Sequence, residues 1–166
     1  HFFGDHSVAT APFGAANLAD FGPEAQADSI RSLPATFPGV AEMLPRFEEL
    51  LDAYRSADGT LAFPDGVTGR ALLQQATREV LSAKGLDVSQ LTDMQLSDNQ
   101  FYLLFPNFFM TIRAGVATVI ISTPHPDGDP GRCHWLVTGY QWLPPEQREA
   151  AREPLAEIAE GAHFPY

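Results

Sequence analysis

The residues best suited to chemistry stand at the start of the chain: His1-Phe2-Phe3-Gly4-Asp5-His6. Neutral imidazole is a ligand for Zn, Cu, Fe and Ni, and two imidazoles with one carboxylate on a single face leave coordination positions open for substrate. A spacing of five places the two histidines about 140° apart on a straight helix, so Gly4 or another local break is needed to turn both rings onto one ion. The same six residues also read as a solvated chain end. Asp5 reads as a carboxylate facing solvent or supporting a ligand, not as a ligand itself. His125, in a turn, and His134, at a strand start, read as structural or solvated, and His163 lies far along the chain.

These residues need a scaffold, and the composition provides for one. The chain has 166 residues, 45% hydrophobic and 11% aromatic with 12 Phe, enough for one domain with a real core. A net charge of −11 without Lys/Arg clusters argues against nucleic acid as a partner. No run reaches the length of a membrane span and no signal peptide is visible, so no membrane role is expected. The single Cys133 excludes an internal disulfide framework and fits a cytoplasmic protein.

The pattern from Ser7 to Gly22 is loop-like, and Ala19 to Arg31 has room for one strand. Val40, Met43, Leu44, Phe47, Leu50, Leu51 and Tyr54 follow helical spacing, with Pro45 splitting the helix or starting its second part. A second helix is expected over Thr68–Lys84, closed by Gly85. This two-helix block reads as ordinary cover over a sheet rather than a lid. After Gly85 the period changes to two. Asp98 to Ile112 reads as one long strand, with a bulge or edge position at Pro106 because proline has no N–H for a ladder. Arg113-Ala114-Gly115 turns the chain. Val116–Thr123 and Cys133–Leu143 then read as strands joined by a hairpin turn through Asp127-Gly128 and Pro130-Gly131. Pro144-Pro145-Glu146 opens a last helix anchored by Leu155 and Ile158. The expected class is α+β: an antiparallel β-sheet with helices packed on one face.

The Leu104-Phe105-Pro106-Asn107 strand, the β-hairpin after it and the Pro145-Glu146-Gln147-Arg148 helix resemble the catalytic domain of Rieske-type aromatic-ring-hydroxylating oxygenases, alpha (large) subunit. That family writes its first two iron ligands as His-x-x-x-x-His, and His1 and His6 match this spacing. The resemblance implies a helix-grip fold of the Bet v 1/START-like kind. It also implies a mononuclear Fe(II) held by His1 and His6, an aromatic substrate hydroxylated with O₂, and a substrate pocket at Phe2, Asn99, Phe101 and Thr111. An aspartate ligand is expected at or just beyond Tyr166. A Rieske [2Fe-2S] module is expected upstream of His1, because one cysteine cannot hold such a cluster. Residues 1–166 thus read as part of a catalytic domain. Implied partners are a ferredoxin or reductase as electron donor and further subunits around an alpha trimer. The rival reading is a metal-free helix-grip module that binds an apolar ligand. A zinc hydrolase is disfavoured, since no His-Glu-x-x-His occurs.

Overall fold

Alternating apolar and β-branched residues build the sheet, a six-stranded antiparallel meander in the order β1-β2-β3-β4-β5-β6. The computed structural model describes residues 21–149 in full, together with the backbone of two N-terminal strands, Phe2–Phe3 and His6–Ala11. These are β1 and β2. The other strands are β3 (Asn99–Leu104), β4 (Phe108–Arg113), β5 (Val116–Pro124) and β6 (Cys133–Gln141). The α+β class is as expected.

Several elements differ from the sequence reading. Residues 7–11, the start of the segment expected as loop, belong to β2, because β3 offers it a ladder along its whole length. The strand expected within Ala19–Arg31 is instead helix α1, Pro23–Ser32. Proline at the first turn, Glu24 beside the positive helix end, and Ala27 and Ile30 buried three residues apart all favour helix there. The single long strand expected over Asp98–Ile112 is two strands, β3 and β4. Phe105-Pro106-Asn107 makes the hairpin turn between them, which is where a residue without an N–H costs no ladder bond. A short helix, α4 (Asp93–Ser97), was not anticipated; a Thr92–Gln95 capping box defines its start.

Two helices follow their sequence signals closely. Helix α2 (Leu44–Asp52) has proline in its first turn, preceded by a 3₁₀ turn at Pro38–Met43. Helix α3 (Gly69–Ala83) begins where the Thr68 hydroxyl accepts the Ala71 N–H at 3.1 Å. It ends before Gly85, which takes a positive φ of 81°. Of the last expected helix, Pro145–Gln147 forms a 3₁₀ turn; Leu155 and Ile158 lie outside the described residues.

The core lies within the helical block, not between helices and sheet. Ala27 and Ile30 of α1, Phe47 and Leu51 of α2, and Leu72, Leu73, Ala76 and Leu81 of α3 are all buried, sealed by Leu86 and Val88. The block expected to be cover therefore holds the buried centre itself. Among the described strand residues only Asn99 and Arg113 are buried; the rest are half-buried or exposed. Block and sheet meet at one end of the strands. There Gly115, in the β4–β5 turn with φ 86°, lies so close to α3 that a Cβ would stand 3.1 Å from Leu81 Cδ2. Gly39 approaches the Val116 methyls on the same side.

Candidate functional site

Strand register decides which of the expected site residues can act together. His6 pairs with Leu104, and that row continues through Phe108 and Ile121 to Leu136. Phe101 pairs with Thr111, and Asn99 lies two residues before Phe101 on the same strand. Because side chains alternate along a strand, Asn99, Phe101 and Thr111 share one face of the sheet. Phe2 pairs with Ser7 and through it with Leu103, so its register position belongs to this same set. His6 belongs to the alternating set. The structure brings the expected substrate positions together and separates them by parity from the expected ligand.

On that first face the Phe101 and Phe109 rings stack with centroids 6.1 Å apart, forming an apolar surface with Thr111 beside it. Asn99 is buried at the sheet's helical end. In the β1–β2 hairpin Phe3 is the register partner of His6. His1, Asp5 and His163 lie outside the described residues. Among the described residues no three His, Cys, Asp or Glu side chains gather as a metal-binding group. The His6 backbone pairs with Phe3 of β1 on one side and Leu104 of β3 on the other.

His125 and His134 meet edge to face at 4.6 Å in the β5–β6 turn, and His125 Nδ1 lies 2.6 Å from Asp127. The Asp129 backbone N–H, then His125, holds the Asp127 carboxyl below its usual range. Asp127 also pairs with Arg132 at 2.7 Å. These contacts tie a turn together.

A different site emerges where the block meets the sheet. A cavity of about 330 Å³ opens there over a single cross-strand row, Gln100, Ile112, Ala117 and Tyr140. Leu91 and Gln95 come from the α4 side, while Arg113, Val116 and Trp142 complete the rim with the β4–β5 turn. The Trp142 N–H donates to the Gly115 carbonyl at 2.8 Å and fixes that corner. This row is in the same alternating set as His6, four residues along β3 and therefore about 13 Å away.

Two buried charges stand at the cavity. Asp98 accepts from Arg70 Nη2 at 2.8 Å through both oxygens and from the Ser97 hydroxyl at 2.7 Å. Gln74 donates to the same hydroxyl at 2.9 Å, which links α3 to the joint between α4 and β3. Arg113 is 9% exposed, and its Nη1 is buried without a hydrogen-bond partner. Burial pushes the Arg113 pKa down to about 10, against the opposing pull of Asp98. Its guanidinium carbon stands 5.8 Å from the centre of the Phe37 ring. The sequence reading took Arg113 as a turn residue. The available signal was a lone basic residue ending an apolar strand beside a glycine.

No protein-family model, curated protein or solved structure matches this chain.

Proposed function

We propose that this chain forms part of the catalytic domain of a Rieske-type aromatic-ring-hydroxylating oxygenase, the alpha subunit, acting with a mononuclear non-haem Fe(II). One observation carries the reading. The β2–β3 pairing sets His6 directly against Leu104, so the histidine segment and the Leu104-Phe105-Pro106-Asn107 segment are neighbours in space although they are distant in sequence. Adjacent strands lie about 4.8 Å apart, close enough for both to border one reaction chamber.

When bound, the iron supplies the activation of O₂ that a closed-shell aromatic molecule cannot achieve alone. His6 would hold it through a neutral imidazole, with His1 as the second donor. Leu104, Phe108 and Ile121, in the same register row as His6, would offer the apolar wall beside the iron, whereas the Phe101 and Phe109 stack lies on the other face of the sheet. Thr111 and Asn99, the polar positions the resemblance names for orienting a substrate, share that other face and so stand across the sheet from His6. Phe2 borders the ligands in sequence. A [2Fe-2S] cluster carried elsewhere would supply electrons, passed on from a ferredoxin or reductase, in an assembly based on an alpha trimer in the cytoplasm. Among the described residues no helix is long and apolar enough to cross a membrane.

Anaerobic Fe(II) titration of the natural full-length polypeptide tests the proposal, with His6→Ala as the variant. One iron per chain in the wild type, lost in the variant, is expected. Iron binding unchanged by His6→Ala overturns the ligand assignment. Apolar ligand binding without any iron binding favours the metal-free helix-grip module instead.

A further inference from the structure

We infer that the open edge of β6 is a self-association surface: a second copy of this chain pairs with it antiparallel, about a two-fold axis through Val137. The inference is independent of the iron reading, and this contact adds to any others between copies. Among the described residues the sheet has two edges. β1, Phe2–Phe3, offers only two residues to a neighbour. β6, Cys133–Gln141, offers nine and is paired on one side only, with β5. It has none of the devices that protect an edge. It contains no proline and no Asp, Glu, Lys or Arg, and its register with β5 runs from end to end without a bulge.

The backbone fixes how the second copy lies. The Trp142 N–H is directed at the Gly115 carbonyl, on the β5 side. Hydrogen-bonded pairs alternate along an antiparallel ladder, so Tyr140, Thr138, Leu136 and His134 also turn their backbone groups to β5. Cys133, Trp135, Val137, Gly139 and Gln141 turn theirs outward. Only an axis at Val137 pairs all nine residues, and it sets outward groups against outward groups throughout. The side chains fit this register. Trp135, 68% exposed, stands opposite Gly139 of the second copy, and the two-fold axis repeats the pair. Nothing lies within 4 Å of the place a Cβ would take on Gly139, so an indole can cover that backbone, as aromatic residues do for glycines in edge strands. On the other face His134 meets Tyr140 and Leu136 meets Thr138. A net charge of −11 opposes contact between copies in general, and a strand without charged residues is where it opposes it least. These contacts serve association and add nothing to the folding of a single chain.

Sedimentation equilibrium of the purified protein over a dilution series tests this. The wild type is expected to have twice the mass of Gly139→Glu, whose new side chain enters open space in one chain but meets Trp135 of the second copy. Val137→Pro, which removes an outward N–H and no bond to β5, is expected to halve the mass likewise. Circular dichroism establishes that both variants are folded. Cross-linking keeps the test intact should either fail to fold. In a Cys133→Ser background, Val137→Cys is expected to join two chains through a short bis-maleimide, because the axis sets this position against itself. Tyr140→Cys, whose two copies stand about 20 Å apart along the paired strands, is expected not to cross-link. A wild type with the same mass as folded Gly139→Glu overturns the inference and leaves the edge to a strand of another protein. No cross-linking at Val137→Cys, or equal cross-linking at both positions, overturns it too.

Discussion

Asp98 is the residue on which the joint turns. Its side chain has no solvent exposure, and it gathers Arg70 and Ser97 at the point where α4 gives way to β3. Removing one partner of such a buried pair leaves the other charge uncompensated, whereas removing a buried charge that has little compensation relieves strain. The two neighbouring residues should therefore respond in opposite directions. Asp98→Asn is expected to cost about 3 kcal/mol in a denaturant melt, because Arg70 and Arg113 then face no carboxylate at this point. Arg113→Met is expected to be neutral or stabilising in the same assay. Arg113 carries the desolvation cost, as its lowered pKa shows, while Asp98 keeps Arg70. A large loss of stability in Arg113→Met would mean that its guanidinium is structurally satisfied.

Contacts between elements fall into two kinds, and they predict different sensitivities. Gln26 of α1 is buried and works as a double clasp: its Nε2 donates to the Phe21 carbonyl at 2.8 Å, and its Oε1 accepts the Gly69 N–H at 2.8 Å. That N–H belongs to the first turn of α3, where the helix has no internal acceptor for it. Arg31 and Glu48 join α1 to α2 through two parallel bonds of 2.8 Å, and this pairing draws the Glu48 pKa down. The pair is partly solvated, so screening discounts it. Gln26→Ala is expected to cost about 1–3 kcal/mol by leaving a buried donor orphaned, whereas Glu48→Gln should cost under about 1 kcal/mol. The sign with pH follows from the direction of the Glu48 shift. Its contribution is present above the ordinary carboxylate range and lost as pH falls through its lowered value. Glu48→Gln should therefore flatten part of the acid limb of stability against pH, which thermal melts across that limb would measure.

For the whole molecule, the imbalance between block and sheet is the dominant fact. Phe47 is fully buried among α1, α2 and α3, whereas Trp135, on the outermost described strand, is 68% exposed. Phe47→Ala should cost about 3–5 kcal/mol through lost burial and the cavity left behind. Trp135→Ala should stay within about 0.5 kcal/mol, as exposed positions generally do. Parallel denaturant melts of the two variants check this ranking, and comparable losses would mean that the sheet shares the core.

Local chemistry was enough to read much of this from the sequence. Thr68 and Gly85 bracket α3 because a hydroxyl satisfies the free N–H groups at a helix start and glycine tolerates the backbone at its end. The β-branched run from Val116 gave β5, and Asp127-Gly128 gave the turn before β6, for equally local reasons. Pro106 announced a break, but whether a proline bends a strand or turns it back depends on the partner it finds. Only the pairing of β3 with β4 decided that. Likewise, β2 has no strong pattern of its own and becomes a strand because β3 presents a free ladder. The candidate site was least legible. Spacing named His6, Asn99, Phe101 and Thr111, but a shift of one residue in register exchanges the faces of a sheet, so their division into two sets was fixed by pairing alone. Arg113 and Asp98 are fifteen residues apart and unremarkable in sequence. What sets them apart is their burial where the helices meet the sheet, and burial is a property of the assembled structure.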